Sequence, residues 1–298
     1  MTGTVVQQGP IGAIWRKGKT FAESIKIEHT VFALPIAYAS LFLVSEGVPG
    51  LANFLWLTLA MAGARTMAMA ANRVVDAKID ARNPRTAKRA IPAGLLKQWE
   101  MAAFIAVALG LFLLAVYNLS ERSQQLWPLA LAPMLLYPYL KRFTWLCHFG
   151  ISAVYVIVPS AVWIAVSGEF TAGAVLLGVG AGLWVAGFDI IYAVQDVAFD
   201  REHGLHSIPA RFGVRAALAA SRLVHLGAAS CIIAAGAVLD AGALYYVGAA
   251  AFVALLAWEH RLVSPGDTSK IPVAFFNMNG AISVVFGICV IGDVLVGN

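Results

Sequence analysis

A chain of 298 residues that is 60% hydrophobic and only 12% charged, with a mean hydropathy of +0.78 and a formal net charge of +5, is excluded from the ordinary soluble classes, whose domains carry about 25% charge. It reads as a polytopic membrane protein. Its positive balance reflects loop topology and attraction for anionic lipid or substrate; no motif supports a nucleic-acid partner, and no obligate protein partner is evident.

Residues 1–27 carry Arg16, Lys17, Lys19 and Lys26 around Ile14, Trp15, Phe21 and Ile25, the pattern of a tail followed by an interfacial amphipathic segment. Residues 28–298 form the second unit, a transmembrane domain. Its apolar runs fall at roughly 28–46, 51–75, 99–119, 126–140, 149–167, 172–196, 216–238, 242–260 and 274–296. Crossing a hydrocarbon core of about 30 Å takes roughly 20 helical residues, so the predicted fold is all-α with nine transmembrane helices, the fourth the shortest. Gly178 and Gly182 mark a face of the sixth helix where a neighbour can approach closely. Asn277 and Asn279, inside the last run, must face the bundle. The cysteines Cys147, Cys231 and Cys289 are scattered in apolar surroundings, which supports neither a disulfide framework nor a zinc site.

Orientation follows from the cations. The loops SEGVPGLAN, VSGEFTAG and LDAGAL and the terminal VGN hold no Lys or Arg. All of the 21 basic residues except Arg122 are therefore assigned to the other side, which the positive-inside rule makes cytoplasmic. The N-terminus and the basic loops share that face.

The chemistry concentrates in two stretches. Residues 72–94, NRVVDAKIDARNPRTAKRAIPAG, place Asn72, Asp76 and Asp80 four residues apart, one polar stripe if the preceding helix continues through them. Tyr192, Asp196 and Asp200 repeat that spacing 120 positions later, an internal repeat whose two acidic helix ends meet on one face of the membrane. Carboxylates at helix C-termini oppose the macrodipole and repel one another, so bound cations are expected to stabilise the cluster. Mg2+ suits it, being held by one or two carboxylates plus substrate phosphates. Arg85, Arg89, Arg201 and Arg211, among other cations near the two stripes, supply donors for phosphate oxygens. The expected site is a Mg2+-diphosphate clamp. His203 and His206 are poor metal candidates beside such oxygen ligands. His29, His148 and His225 read as structural.

The N-x-x-x-D-x-x-x-D stripe with its R-T-A-K-R-A-I-P-A-G continuation, the D-x-x-Y-x-x-x-D-x-x-x-D stretch and the turn L-Y-P-Y-L-K-R-F-T resemble the UbiA superfamily of intramembrane aromatic prenyltransferases. The 4-hydroxybenzoate polyprenyltransferases and their relatives in menaquinone synthesis are the nearest in pattern. The resemblance runs from about residue 29 to the C-terminus. It implies nine helices around a central cavity with a cytoplasmic-side active site in the bacterial inner membrane, Mg2+, a polyprenyl diphosphate donor and an aromatic acid acceptor. Carried over, it makes Asn72, Asp76 and Asp80 the first Mg2+-diphosphate motif and Asp196 and Asp200 the second. Tyr192 shapes the diphosphate pocket, and Arg85 and Arg89 clamp phosphate. Arg142, after Lys141, holds the acceptor carboxylate, and Asp189 acts on the phenol proton. The chain departs from the family pattern at Arg73, Ala90 and His206.

Three functions fit this pattern: prenyl transfer to 4-hydroxybenzoate in ubiquinone synthesis, the same chemistry on another aromatic acid of the futalosine route to menaquinone, and an ion-coupled carrier. A carrier would place its ionisable groups near the bilayer midplane on broken helices; here they gather at helix ends beside phosphate-type cations.

Overall fold

The computed structural model describes residues 10–26 and 33–297. Helices follow one another as α1 (Pro10–Ser24), α2 (Leu34–Ser45), α3 (Leu51–Asp80), α4 (Gln98–Val116), α5 (Glu121–Leu140), α6 (Cys147–Ser167), α7 (Ala172–Ala193), α8 (Val197–Glu202), α9 (Ile208–Phe212), α10 (Val214–Val238), α11 (Ala243–Leu262), α12 (Ile271–Val273) and α13 (Asn279–Gly297), with a π-helical turn, Ala274–Met278, leading into α13. Each of the nine predicted runs coincides with a helix among the described residues. Seven of the helical segments are long and apolar enough to cross a membrane. Of the other two, α2 has 12 described residues. α5 holds Pro128, Pro133 and Pro138, which break its backbone ladder where neighbouring elements must resatisfy it.

Several boundaries move for local reasons. α3 runs on to Asp80 instead of stopping near residue 75, because its acidic last turns find basic partners. α5 starts at Glu121, where the Ser120 hydroxyl accepts the Ser123 N–H at 3.2 Å, an N-cap that takes Arg122 into the helix. Arg65 lies inside α3, and its guanidinium donates to Lys26 O at 2.7 Å, at the end of the basic N-terminal segment. Asn277 is exposed in the π-helical turn. Its neighbour Asn279 is fully buried, taking a 2.7 Å bond from Trp184 Nε1 and donating to Glu259 Oε1 at 3.1 Å.

The bundle closes as α3 packs on α4, α5 on α6, α6 on α7, α7 on α10, α11 on α13 and α13 on α2. The main core joins Trp163, Trp184, Tyr245, Phe252 and Phe286. α7 is the most enclosed of the spanning segments. The small residues predicted to permit close approach do so: a Cβ at Gly182 would lie 2.8 Å from Ser152 O on α6, and one at Gly178 would meet Val156 O. α1 docks on the end of α3 and α4, with Phe21 stacked on Phe104 at 4.0 Å and Lys17 paired with Glu100.

Candidate active site

Because α3 continues as a helix, Asn72, Asp76 and Asp80 form one stripe, each a turn beyond the last. Asp76 and Asp80 are only 3% and 4% exposed, and charges so buried need partners. Lys141 Nζ stands 2.7 Å from Asp76 Oδ2, and Arg142 donates to Asp76 Oδ1 at 3.1 Å. The Asn72 amide donates to Asp76 Oδ2 at 3.3 Å. Arg89 reaches both oxygens of Asp80 at 2.8 Å. The turn after α5 and the loop after α3 thus neutralise the first stripe.

The second stripe is joined to the first by that same loop. Arg85 forks onto Asp196, Nε to Oδ1 at 3.0 Å and a terminal nitrogen to Oδ2 at 2.5 Å, and its other terminal nitrogen donates to the Tyr192 hydroxyl at 2.9 Å. Burial works against the guanidinium charge, but the hydrogen bond to Asp196 and the electrostatic influence of Tyr192 and Asp196 hold its pKa above the ordinary value. Asn83 adds a second link, Nδ2 to Asp196 Oδ1 at 3.0 Å, while its own Oδ1 accepts the Arg85 N–H at 2.9 Å. Asp200 accepts from Ser207 Oγ at 3.0 Å. His206 N–H donates to Lys141 O at 2.7 Å, tying the loop after α8 to the turn after α5.

These pairings correct one expectation: the carboxylates are balanced by Arg85, Arg89, Lys141 and Arg142, so their proximity does not depend on bound cations alone. Other cations have different contacts. Arg142 also donates to Pro138 O at 2.7 Å and to Val75 O at 2.9 Å. Arg201 donates to Ala210 O at 2.7 Å, and Arg211 lies over the rings of Trp145 and Phe212 at 5.9 and 5.4 Å. Arg73 donates to Ser24 O at 3.0 Å and to Asn72 at 3.2 Å. His29 lies outside the described residues.

Two participants escaped the sequence reading. Asn83 was hidden in the basic loop, although Asn-Pro is a turn signal and an Asn side chain capping the backbone two residues on is a recognised device. His148, read as structural, has its Nδ1 2.7 Å from Asp189 Oδ2. Asp189 and Tyr192 lie one turn apart on α7, and Asp196 follows in the 3-10 turn Val194–Asp196. A lone histidine at a helix start carries no signal for that partnership.

The donor set suits Mg2+. Asp76, Asp80, Asp196 and Asp200 offer hard oxygens only. Among the described residues no three His, Cys, Asp or Glu side chains converge into a metal cage, so an ion here would need further oxygens from substrate phosphate or water. Away from these carboxylates, α3 to α6 line a partly open apolar pocket of about 420 Å³ whose lining includes Leu57, Ala64, Phe112, Leu131, Met134 and Val158. Ala64 precedes Asp76 by 12 residues, about 18 Å along the α3 axis. The molecule therefore has a charged end and, well away from it, an apolar pocket.

Residues 33–281 match the UbiA prenyltransferase family. A 4-hydroxybenzoate octaprenyltransferase of Pseudomonas putida is 29% identical over 250 residues, 83% of each chain. A UbiA homolog from Aeropyrum pernix K1, solved in its apo form, superposes with a TM-score of 0.82 at 34% identity over 91% of this chain and 99% of its own. A UbiA homolog from Archaeoglobus fulgidus bound to GPP and Mg2+ shares the fold, with a TM-score of 0.70 at 17% identity over 92% of this chain and 99% of that one.

Proposed function

The chain belongs to the UbiA prenyltransferase family, and from that premise we propose that it transfers a polyprenyl group from polyprenyl diphosphate to the ring of 4-hydroxybenzoate, with Mg2+, in ubiquinone biosynthesis. The observation that carries the reading is the bridge from Arg85 and Asn83 to Asp196, which gathers both acidic stripes and four basic side chains at one end of the bundle. The octaprenyltransferases among its relatives and the fold neighbour that holds GPP and Mg2+ support the donor class and the metal.

In this reading Asp76, Asp80, Asp196 and Asp200 hold the metal, which supplies a Lewis acid for the diphosphate oxygens. Arg85, Arg89, Lys141, Asn72 and Tyr192 bind the diphosphate. Their hydrogen bonds exchange from carboxylates to phosphate oxygens as the negative charge on the departing group grows, the kind of prearranged electrostatic help that often dominates catalysis. Arg201 and Arg211 would reach the phosphates only by leaving their present contacts, and Arg142 serves the carboxylate of the acceptor only if it gives up part of its hold on Asp76. The apolar pocket takes the far part of the isoprenoid chain. A long tail continues into lipid. The protein is read as an integral membrane enzyme of the bacterial inner membrane, its residues 1–27 a peripheral segment and its clamp cytoplasmic.

Purified protein in detergent, given Mg2+, a polyprenyl diphosphate and 4-hydroxybenzoate, should release diphosphate and form the ring-prenylated acid. A panel that includes phenolic acids of the futalosine type tests the acceptor. Absence of a prenylated product with every acid would overturn the proposal.

A further inference from the structure

His148 is the second residue of α6 and only 2% exposed, yet both of its ring nitrogens are engaged by other elements. Nε2 faces the Ile208 N–H of α9 at 3.3 Å, and a backbone N–H can only donate. Nε2 is therefore the acceptor, and Nδ1 carries the ring hydrogen that it donates to Asp189 Oδ2 at 2.7 Å. The Asp189 side chain is 30% exposed, so one oxygen is held from behind while the carboxylate keeps an open side. Asp189 lies on α7, and Asp196 lies seven residues further on, in the 3-10 turn Val194–Asp196 that follows it.

We infer that His148 is a positioning residue for Asp189. It fixes the carboxylate so that the open oxygen takes the hydroxyl proton of a phenolic acceptor, and Ile208 sets the tautomer that makes this possible. The reacting bonds balance as follows. The acceptor O–H breaks and its proton passes to Asp189. The electron pair left on oxygen feeds the ring, whose ortho carbon bonds to C1 of the prenyl group as the C1–O bond breaks and its pair leaves with diphosphate. The ortho hydrogen then departs as a proton to the released diphosphate, the ring regains its aromaticity, and Asp189 returns its proton to the ring oxygen. Asp189 as the acceptor's base rests on the proposed prenyl transfer; the dependence of that base on His148 and Ile208 is the new element.

Two isosteric halves of the imidazole separate the roles. His148→Asn keeps an N–H donor near the Nδ1 position and gives up the bond to Ile208. His148→Gln keeps an amide oxygen for Ile208 near the Nε2 position and gives up the donor to Asp189. Turnover is measured at one pH with a phenolic acid that the natural protein prenylates, and again with ring-fluorinated analogues whose hydroxyl is already ionised. His148→Gln should lose about 10- to 100-fold in kcat on the parent phenol, the usual scale when the partner orienting an active group is removed. KM for the prenyl diphosphate should stay unchanged, and the loss relative to the natural protein should shrink on the fluorinated acceptors, which need no base. His148→Asn should stay close to the natural rate on both. An equal loss on ionised and un-ionised phenols, or a larger loss for Asn than for Gln, would show that His148 serves only packing and would overturn the inference while leaving prenyl transfer intact. Failure of the natural protein to prenylate any phenol would overturn the transfer itself, and the inference with it.

Discussion

Replacing Arg85 by alanine removes the stronger of the two links between the acidic stripes. The guanidinium makes a two-pronged bond to Asp196 and a third bond to Tyr192, with the Arg85 side chain 32% exposed and that of Asp196 17% exposed. Truncating one partner of a fully desolvated charge pair costs about 2–5 kcal/mol, whereas exposed pairs contribute about 0–1 kcal/mol. A partly exposed fork falls between, about 1–2 kcal/mol of stability, too little to unfold the bundle. Its effect on turnover should be larger, because a donor aimed at charge that develops during reaction contributes about 100- to 1000-fold in kcat. Diphosphate release and thermal unfolding, both followed in detergent, separate the two effects. The expected result is a small fall in melting temperature beside a two- to three-decade fall in rate (about 3–4 kcal/mol), with Arg85→Lys in between because it restores charge without the fork. An alanine variant as active as the natural protein would refute the assignment of Arg85 to the departing diphosphate.

Asp76→Ala and Asp196→Ala should each abolish turnover while leaving a folded bundle, checked by size-exclusion profile and product formation; full activity in either would remove that carboxylate from the metal site. Chelation should stop diphosphate release and added Mg2+ should restore it, and release that continues in excess chelator would refute the metal requirement. Arg142→Ala strips donors from Asp76, Val75 O and Pro138 O and should destabilise by about 2 kcal/mol after allowance for its partial exposure. If its melting temperature is unchanged and only the acceptor KM rises, Arg142 belongs to the acceptor carboxylate instead. Gly182→Leu forces a side chain against Ser152 on α6 and should cost about 1–3 kcal/mol by overpacking, read as a lower melting temperature; an unchanged value would mean that α6 and α7 separate easily.

Much of the architecture was legible in one dimension because a membrane reads composition directly. Runs of hydrocarbon mark helices, and α4, α6, α7, α10, α11 and α13 lie where their apolar runs do. Legibility failed where context outweighs hydropathy. Asp76 and Asp80 prolong α3 beyond its apolar stretch, since Lys141, Arg142 and Arg89 balance charges that a sequence shows only as a polar break. Asn277 and Asn279 look equivalent in sequence, but Asn277 is exposed whereas Asn279 is buried in contact with Trp184 and Glu259.

The sequence by itself determined the all-helical membrane character, the two acidic stripes and their 120-residue repeat, and the abundance of cations beside them, since each follows from residue type and spacing along one chain. Only the tertiary structure decided which cation meets which carboxylate. Arg85 and Asp196 are 111 residues apart, Lys141 and Asp76 65, and His148 and Asp189 41. Arg211 faces Trp145 and Phe212, whereas Arg85 faces Asp196, although both are simply basic loop residues in the sequence. A loop cation can reach many carboxylates, and the packing of the helices beneath it leaves one within hydrogen-bonding distance.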